Sequence, residues 1–225
     1  MPGHFTFYSE TIVDNFAVFS ESESKHISQV LRYQVGDEIE FTDGKGKMFY
    51  GNIDSIENRV VKVRVENKVE FSVPKTTIAV GILKNSDRME WLVEKATELG
   101  VHSIFWMTTD NTERSKLNID KHKKTAISAM KQSHSTWLPI IQMVSFKSII
   151  ESNSYNTKLI SHCQGELDEL KSGNFSGNTL VLIGPEGDFS SQEVTIAVNL
   201  GFNPIGLGTR ILRTETAVLK VLSLQ

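Results

Sequence analysis

Two kinds of hydrophobic spacing divide the chain near Pro74. Over residues 38–65, apolar and polar positions alternate in short runs separated by turn residues, a period that is typical of half-buried antiparallel strands. Beyond Pro74, continuously apolar runs such as 76–83 alternate with segments of helical spacing, which is typical of buried parallel strands joined by helices. The pattern predicts a small β-barrel over residues 1–73 and an α/β domain with a largely parallel sheet over residues 74–225.

Helices and strands within these domains are predicted from apolar spacing and end signals. Ile27, Val30 and Leu31 share one predicted helical face. Ser190 and Glu193 have the spacing of a capping box, and Val194, Ala197 and Val198 follow as an apolar stripe. The predicted helices are residues 26–32, 87–99, 118–132 and 190–201, and the predicted strands of the second domain are residues 76–83, 104–107, 158–160, 179–183 and 204–207.

Composition restricts the class of protein. The chain has 225 residues, of which 39% are hydrophobic and 23% charged, as in ordinary globular proteins. A single cysteine, Cys163, excludes an internal disulfide framework and any multi-cysteine metal site. The sequence has no signal-peptide pattern and no apolar run near the roughly 20 residues that cross a bilayer, so we expect a cytoplasmic protein without a membrane span.

Charge is unevenly distributed along the chain. The net charge is -3, which argues against a general nucleic-acid binder. Residues 74–158, however, carry 12 Lys or Arg against 8 Asp or Glu, whereas the segments on either side are net negative. This distribution fits an enzyme that contacts RNA on one limited face, and ordinary surface variation explains it equally well.

Two loops that follow predicted strands have unusual compositions. In residues 183–190, Gly184 and Gly187 would let a flat ligand approach the backbone, although a tight strand-to-helix connection also favours glycine. In residues 207–217, Arg213 and Glu215 come soon after a buried strand, where charges need either a partner or a function. Because ligands bind at the carboxyl ends of strands in open α/β sheets, both loops are candidate site segments.

Several common sites are missing from the sequence. It contains no phosphate-binding G-x-x-x-x-G-K-[ST] loop, no G-x-G-x-x-G after an early strand and no G-x-S-x-G nucleophile elbow. The six histidines have no metal-like spacing. We therefore do not predict a nucleotide triphosphatase, a dinucleotide-binding enzyme or a serine hydrolase. We also predict no metal site.

Taken in order, the motifs of this chain resemble the RsmE family, whose members methylate N3 of a uridine in 16S ribosomal RNA of the small subunit. The resemblance runs over nearly the whole length. The most specific motifs are Gly184-Pro185-Glu186-Gly187 and Leu207-Gly208-x-Arg210-Ile211-Leu212-Arg213-Thr214-Glu215-Thr216-Ala217. Shorter matching pieces are His26-x-x-x-Val30-Leu31-Arg32, Val35-Gly36-Asp37, Asp87-Arg88-Met89-Glu90-Trp91, Lys95-Ala96-Thr97-Glu98-Leu99-Gly100-Val101, Glu113-Arg114-Ser115 and Gln132-Ser133.

The resemblance implies an N-terminal PUA-like RNA-binding β-barrel and a C-terminal SPOUT-type α/β methyltransferase domain with a deep trefoil knot. It also implies a homodimer, S-adenosylmethionine as cofactor, and 16S ribosomal RNA as partner, within the small subunit. The implied cofactor-binding residues are Ile183, Gly184, Pro185, Glu186, Gly187, Leu207, Gly208, Ile211, Leu212, Arg213 and Thr216.

Three positions depart from the family pattern. His134 and Ser135 follow Gln132-Ser133 where the family often has Gly-Arg, the arginine often found near the N-terminus is missing, and Asp188 replaces a common glycine. Arginines at the first two places would mainly contact phosphates, so these departures concern RNA binding more than the chemistry.

Methylation at N3 requires loss of a proton and stabilisation of the charge that spreads onto the uracil oxygens. Arg213 is the first candidate for that stabilisation, and Arg114, of the same or a partner subunit, is the second. Glu186 or Glu215 would orient the arginine or accept the proton. The assignment between the two carboxylates stays open.

A basic surface beyond the pocket is expected to capture RNA. Trp137 is a further candidate for base stacking, although a tryptophan is more often part of a core. For the lysines, a solvated helix face is an equally good interpretation. The candidate RNA-binding residues are Arg32, Lys116, Lys121, Lys123, Lys124 and Lys131.

Two other functions stay open as alternatives. One is a related knotted methyltransferase that acts on transfer RNA or on a different base. The other is a non-catalytic RNA-binding or ribosome-assembly protein, against which the intact cofactor loops argue because a binder needs no cofactor pocket. The sequence leaves open the exact nucleotide and whether free RNA or the assembled subunit is the substrate.

Overall fold

The computed structural model describes residues 5–112, 117–163 and 167–225. The contacts of the chain divide it into two compact units. Unit 1 comprises Met1–Val73 and Ile127–Leu138, and unit 2 comprises Pro74–Ala126 and Pro139–Gln225. Residues 127–138 fall in the second domain of the predicted division, whereas their contacts lie with unit 1.

Unit 1 is built on a six-stranded sheet of order β1-β4-β5-β6-β3-β2, in which only the β1/β4 pair is parallel. Register shifts in the long β5/β6 pair, near Gly51 and near Ser55, bend the sheet because a bulged strand curves away from its partner. Aromatic side chains fill its core, and the Phe41 and Phe49 rings stack with centroids 5.2 Å apart. The strands are β1 (Thr6–Tyr8), β2 (Thr11–Val13), β3 (Phe16–Val18), β4 (Glu38–Thr42), β5 (Lys47–Glu57) and β6 (Val60–Glu70).

The helix predicted for residues 26–32 begins earlier and changes pitch. Helix α1 (Glu21–Lys25) is capped by Ser20 and runs into a π-helical turn over His26–Val30. A π turn has more residues per turn than an α-helix, so it shifts side chains away from the α-helical face. Ile27 is fully buried, but Val30 is 62% exposed, and its predicted place on the apolar face is therefore wrong.

Unit 2 contains an all-parallel sheet of order β12-β10-β11-β7-β8-β9, which confirms the predicted parallel α/β architecture. Its strands are β7 (Thr76–Gly81), β8 (Ser103–Thr108), β9 (Ile140–Ser145), β10 (Thr157–Ser161), β11 (Thr179–Ile183) and β12 (Asn203–Ile205). The helices are α2 (Ser86–Glu98), α3 (Ile119–Gln132), α4 (Phe146–Ile150), α5 (Ser191–Asn199) and α6 (Thr214–Leu222), of which α3 is divided between the two units.

The ends of α5 follow from the local sequence. Ser190 Oγ accepts a hydrogen bond from Glu193 N at 3.2 Å, and Glu193 Oε2 accepts one from Ser190 N at 2.9 Å, so the predicted capping box is confirmed. Gly201 follows the helix with a φ of +88°, a conformation that glycine adopts without strain. Ala197 is fully buried, whereas Val198 is 41% exposed, so its predicted place in the buried apolar stripe is wrong. The short helix presents only a narrow face to the core.

The two central strands, β7 and β11, lead into the loops of the candidate site. They are neighbours in the sheet and every one of their residues is buried. From β12 at the sheet edge the chain returns to α6, which packs against β7, β11 and α2. The trefoil knot stays a prediction from the family resemblance. Within the described residues, no helix combines the length and apolar character needed to span a membrane.

Candidate active site

The two candidate loops meet at the carboxyl ends of β11 and β12. Thr214 Oγ1 donates a hydrogen bond to Gly184 O at 3.1 Å, and both residues are buried. This bond joins the start of α6 to the loop after β11. A cavity of about 420 Å³ opens beside it, lined by Arg88, Ser161, His162, Cys163, Ile183, Gly184, Pro185, Glu186, Asp188, Ile211, Leu212, Arg213, Thr214 and Ala217.

A second cavity of about 580 Å³ continues from the first, because both are lined by residues 161–163 and by Ile211, Leu212 and Ala217. We call the two together the cleft. The second cavity adds Leu167, Glu169, Gly206, Leu207, Gly208, Thr209 and Arg210 to its wall. Ile211 lies in both cavities and is 88% exposed, so a large apolar side chain is presented to whatever occupies the cleft.

The wall of the cleft depends on close backbone approaches. A Cβ atom at Gly81, the last residue of β7, would lie 2.3 Å from Pro185 N, so only glycine lets the loop after β11 sit against this strand. Gly208 has a φ of +93°, which other residues rarely adopt. Lys220 Nζ donates to Leu207 O at 3.0 Å and to Glu169 Oε1 at 2.9 Å, which anchors the other loop to α6.

Arg88 in the first turn of α2 connects both loops through their carboxylates. Its Nε donates to Glu215 Oε1 at 2.9 Å and its Nη2 to Glu215 Oε2 at 2.5 Å, a bidentate pair. Its Nη1 donates to Glu186 Oε1 at 3.3 Å. Arg88 lies within a motif of the family resemblance, which assigned it no role. The available signal was a charged residue just after the buried strand β7.

The ion pair changes the titration of both partners. Burial alone would raise the pKa of Glu215, but the hydrogen bonds and charge of Arg88, with a smaller contribution from Arg213, bring it below its usual value. The hydrogen bond to Glu215 raises the pKa of Arg88 in turn. Glu215 is therefore an ionised carboxylate fully engaged by its partner.

Asp188, the residue that replaces a family glycine, has a φ of +58° and uses its carboxylate to fix the backbone around it. Its Oδ2 accepts from Cys163 N at 2.8 Å and its Oδ1 from Phe189 N at 2.8 Å. Burial, followed by the Asp188 charge, raises the pKa of the Cys163 thiol, which disfavours the reactive thiolate. Burial lowers the pKa of His162, with Asp188 opposing.

The remaining predicted cofactor residues are placed less centrally. Gly187 lines a separate cavity of about 440 Å³ together with Ile82, Lys84, Asp110, Asn111, Thr112 and Glu186. Thr216 is exposed and lines none of the three cavities. Arg114, the second catalytic candidate, lies outside the described residues.

The candidate RNA-binding residues differ in their surroundings. Arg32, Lys123 and Lys124 are exposed, and Lys121 is exposed but paired with Glu90 at 2.5 Å. Lys131 is half-buried and its Nζ donates to both carboxylate oxygens of Glu23, at 2.8 and 3.0 Å. Trp137 is half-buried and pairs with Lys45 through an isolated β-bridge, and Lys116 lies outside the described residues. The structure thus gives Lys131 a structural partner within unit 1.

In the part of the chain that the structure describes, no three His, Cys, Asp or Glu side chains gather in an arrangement that could bind a metal ion.

Comparisons with known proteins agree with this geometry. The family described as "RNA methyltransferase domain" matches residues 70–225, and the family described as "RNA methyltransferase PUA domain" matches residues 19–66. A ribosomal RNA small subunit methyltransferase E from Aquifex aeolicus is 28% identical, with 97% of each chain covered.

Two crystal structures align with almost the whole chain. A probable rRNA-methyltransferase from Porphyromonas gingivalis is 32% identical with a TM-score of 0.87, and the alignment covers 97% of this chain and 95% of that one. A ribosomal RNA small subunit methyltransferase E from Neisseria gonorrhoeae, bound to S-adenosyl methionine, is 27% identical with a TM-score of 0.82 and the same coverage.

Proposed function

Because this chain belongs to the RsmE family of RNA methyltransferases, we propose that it transfers a methyl group from S-adenosylmethionine to N3 of a uridine in 16S ribosomal RNA. The observation that carries the proposal is the cleft itself. The two most specific family motifs are separate in sequence, with Gly184 and Thr214 lying 30 positions apart, yet they form one wall, joined by the Thr214–Gly184 hydrogen bond and by Arg88.

The residues present fit S-adenosylmethionine. Cavities of about 420 and 580 Å³ are within the size range of ligand sites. Glycine backbone on one side and the apolar Ile211 and Leu212 on the other suit a flat adenine ring. Glu186 supplies a carboxylate for the positive sulfonium end. The cofactor-bound Neisseria gonorrhoeae relative supports the same assignment.

When bound, S-adenosylmethionine supplies an electrophilic methyl group whose bond to sulfur breaks, with its electron pair left on sulfur, as uracil N3 bonds to the carbon. The protein must make N3 nucleophilic, which requires removing its proton and stabilising negative charge on the flanking oxygens. Arg213 lines the cleft, is exposed to it, and precedes the first turn of α6. We assign the Arg213 guanidinium to stabilise that negative charge, as the donors of an oxyanion hole do.

The two carboxylates take different roles in this proposal. Glu215 is buried and bound at both oxygens by Arg88, so it orients Arg88 and is a poor proton acceptor. Glu186 is more exposed and is bound through one oxygen only, Oε1, among the described residues. We assign Glu186 as the proton acceptor.

RNA capture is assigned to exposed lysines of α3. Lys123 and Lys124 are the strongest candidates because Lys121 and Lys131 already have carboxylate partners. Each lysine that contacts a phosphate releases counterions, so the Lys123→Ala/Lys124→Ala variant should show a shallower dependence of RNA affinity on salt. An unchanged slope would identify this segment as an ordinary solvated face. Arg32 in unit 1 is tested in the same way.

The assembly is proposed from the family resemblance. A cytoplasmic homodimer with a PUA-like domain over residues 1–73 and a knotted domain over residues 74–225 would let Arg114 act from the partner subunit. Analytical ultracentrifugation of the full chain tests the dimer.

The proposed reaction is tested by methyl transfer from labelled S-adenosylmethionine to small ribosomal subunits from a strain that lacks the enzyme, followed by nucleoside analysis. We expect 3-methyluridine at one position. Arg213→Ala should lower kcat by about 100-fold or more at saturating S-adenosylmethionine, and Arg59→Ala, at an exposed position of unit 1, serves as the matched control. Near-normal turnover of Arg213→Ala would refute the assigned role.

The same assay separates the alternatives. Label in transfer RNA, or in a nucleoside other than 3-methyluridine, would replace the substrate assignment and leave the cofactor assignment intact. Absence of S-adenosylmethionine binding by calorimetry would instead favour a non-catalytic RNA-binding protein.

A further inference from the structure

A polar cavity shares Glu186 with the cleft. Its volume is about 440 Å³ and it is lined by Ile82, Lys84, Asp110, Asn111, Thr112, Glu186 and Gly187. We call it the polar cavity. It opens where the chain leaves β7 and β8, two neighbouring strands whose carboxyl ends lie at the same edge of the sheet as the cleft.

Among the described residues, Glu186 is the one that lines both the polar cavity and the cleft. Its Oε1 accepts hydrogen bonds from Lys84 N and from Arg88 Nη1, each at 3.3 Å. Its Oε2 makes no hydrogen bond to any residue in the described ranges. The carboxylate is thus fixed through one oxygen and leaves the other available to a ligand, at the boundary between the two spaces.

Asn111 and Thr112 contribute polar side chains to the wall of the polar cavity. Asn111 Nδ2 donates to Gly187 O and to Asp188 O, each at 3.0 Å, which ties the wall to the loop after β11. The side-chain oxygen of Asn111, Oδ1, has no hydrogen-bond partner among residues that the structure describes. Thr112 Oγ1 accepts from Thr109 N at 2.7 Å, which fixes its turn.

We propose that the polar cavity receives the ring of the uracil that is methylated, with its Watson–Crick edge at Glu186, where the cavity meets the cleft, so that N3–H reaches Glu186 Oε2 and a flanking carbonyl oxygen faces Arg213 in the cleft. The inference rests on the proposed function and extends it by naming where the acceptor base binds. A base that undergoes chemistry must leave its stack and enter a pocket that reads its Watson–Crick edge. Because the polar cavity meets the cleft at Glu186, a base bound there presents that edge to the methyl donor.

The same arrangement explains selection of uracil over cytosine. Uracil presents a donor at N3, which a carboxylate oxygen accepts, whereas cytosine presents a lone pair there. A cytosine in the same position would leave a desolvated carboxylate facing an acceptor, and sites with such unpaired polar groups reject the analogue strongly. Lys84, on the rim, supplies a positive charge for the phosphate next to the extruded nucleotide.

The test compares variants that change the polar cavity with matched variants elsewhere in unit 2. Thr112→Met places a longer, apolar side chain in the cavity and Lys84→Ala removes a positive charge from its lining, while Thr195→Met and Lys147→Ala make the same changes at exposed helix positions. For each variant, S-adenosylmethionine affinity is measured by calorimetry and kcat/KM with small ribosomal subunits as substrate.

We expect Thr112→Met to lower kcat/KM by about 100-fold and Lys84→Ala by about 10-fold, with cofactor affinity within about twofold of the parent and the controls unchanged. Unchanged kcat/KM for Thr112→Met, or a parallel loss of cofactor affinity, would overturn the inference. A parent protein that methylates no RNA at all would instead show that the proposed function is wrong, before any variant is compared.

A second measurement tests the inference if the Thr112→Met protein does not fold. Small subunits are reconstituted with ribosomal RNA carrying 4-thiouridine at the methylated position and irradiated with the unmodified enzyme. Crosslinks to residues 82–84 or 110–112 support the inference. Crosslinks confined to other segments reject it.

Discussion

Replacing Arg88 with methionine should lower the free energy of unfolding at pH 7 by about 2–4 kcal/mol. Removing one partner of a buried ion pair costs about 3–5 kcal/mol because the other charge stays buried without compensation. Glu215 is buried, with 7% of its surface exposed. We take a smaller value because the Arg88 side chain is 26% exposed and water can reach part of the pair.

The cost should depend on pH with a defined sign. In the parent protein Arg88 brings the pKa of Glu215 below its ordinary value, so the pair contributes stability above the unfolded-state pKa of about 4.3. That contribution is lost as the pH falls through the folded-state pKa. In Arg88→Met the hydrogen bonds and charge of Arg88 are lost, so the pKa of Glu215 rises relative to the parent. The difference between parent and variant should therefore be largest near neutrality and shrink below about pH 4.

The assay is urea unfolding at pH 7 and at pH 4, followed by fluorescence. Adding Glu215→Leu to Arg88→Met should recover much of the lost stability at pH 7, because it removes the uncompensated charge. Arg59→Met is the matched control, since Arg59 and Glu21 are 79% and 76% exposed and their atoms are 3.9 Å apart. A loss in Arg88→Met that is the same at both pH values, or a double variant less stable than the single one, would refute this reasoning.

Three further substitutions test the cleft and unit 1. Gly81→Ala should abolish S-adenosylmethionine binding measured by calorimetry, because its Cβ would collide with Pro185; normal affinity would show that this approach is unnecessary. Ile211→Ser should leave the melting temperature unchanged, since the side chain is 88% exposed, and should weaken cofactor binding by about 10-fold through lost apolar contact; unaltered binding would remove Ile211 from the site. Lys131→Met should lower the thermal stability of the protein by leaving Glu23 unpaired, with no change in the salt dependence of RNA binding; a shallower salt slope would return Lys131 to the RNA-binding set.

Much of this protein is determined by local sequence. The alternation of residues 38–65, the apolar runs of β7 and β11 and the capping box at Ser190 each predict structure within a few residues, because side-chain periodicity and capping act between near neighbours. The loop motifs likewise identify the candidate site, since their glycines and charges are recorded in the sequence itself.

The errors in the predicted helices concern their pitch and rotation, which hydrophobic spacing alone does not specify. Val30 is exposed because a π turn replaces the expected α-helix, and Val198 is exposed because only a narrow face of α5 meets the core. Hydrophobic spacing shows that a helix forms. How its pitch and rotation settle depends on what packs against it.

Only the tertiary structure decided how the charged residues are paired and which cavities they line. Arg88 and Glu215 are 127 positions apart, and Lys131 and Glu23 are 108 apart, so no local pattern could join them. Ion-pair partners depend on where the chain brings distant segments together, and burial then sets their pKa values. In the sequence Glu186 and Glu215 are equivalent candidate acids, whereas in the structure Arg88 binds both carboxylate oxygens of Glu215 and only Oε1 of Glu186.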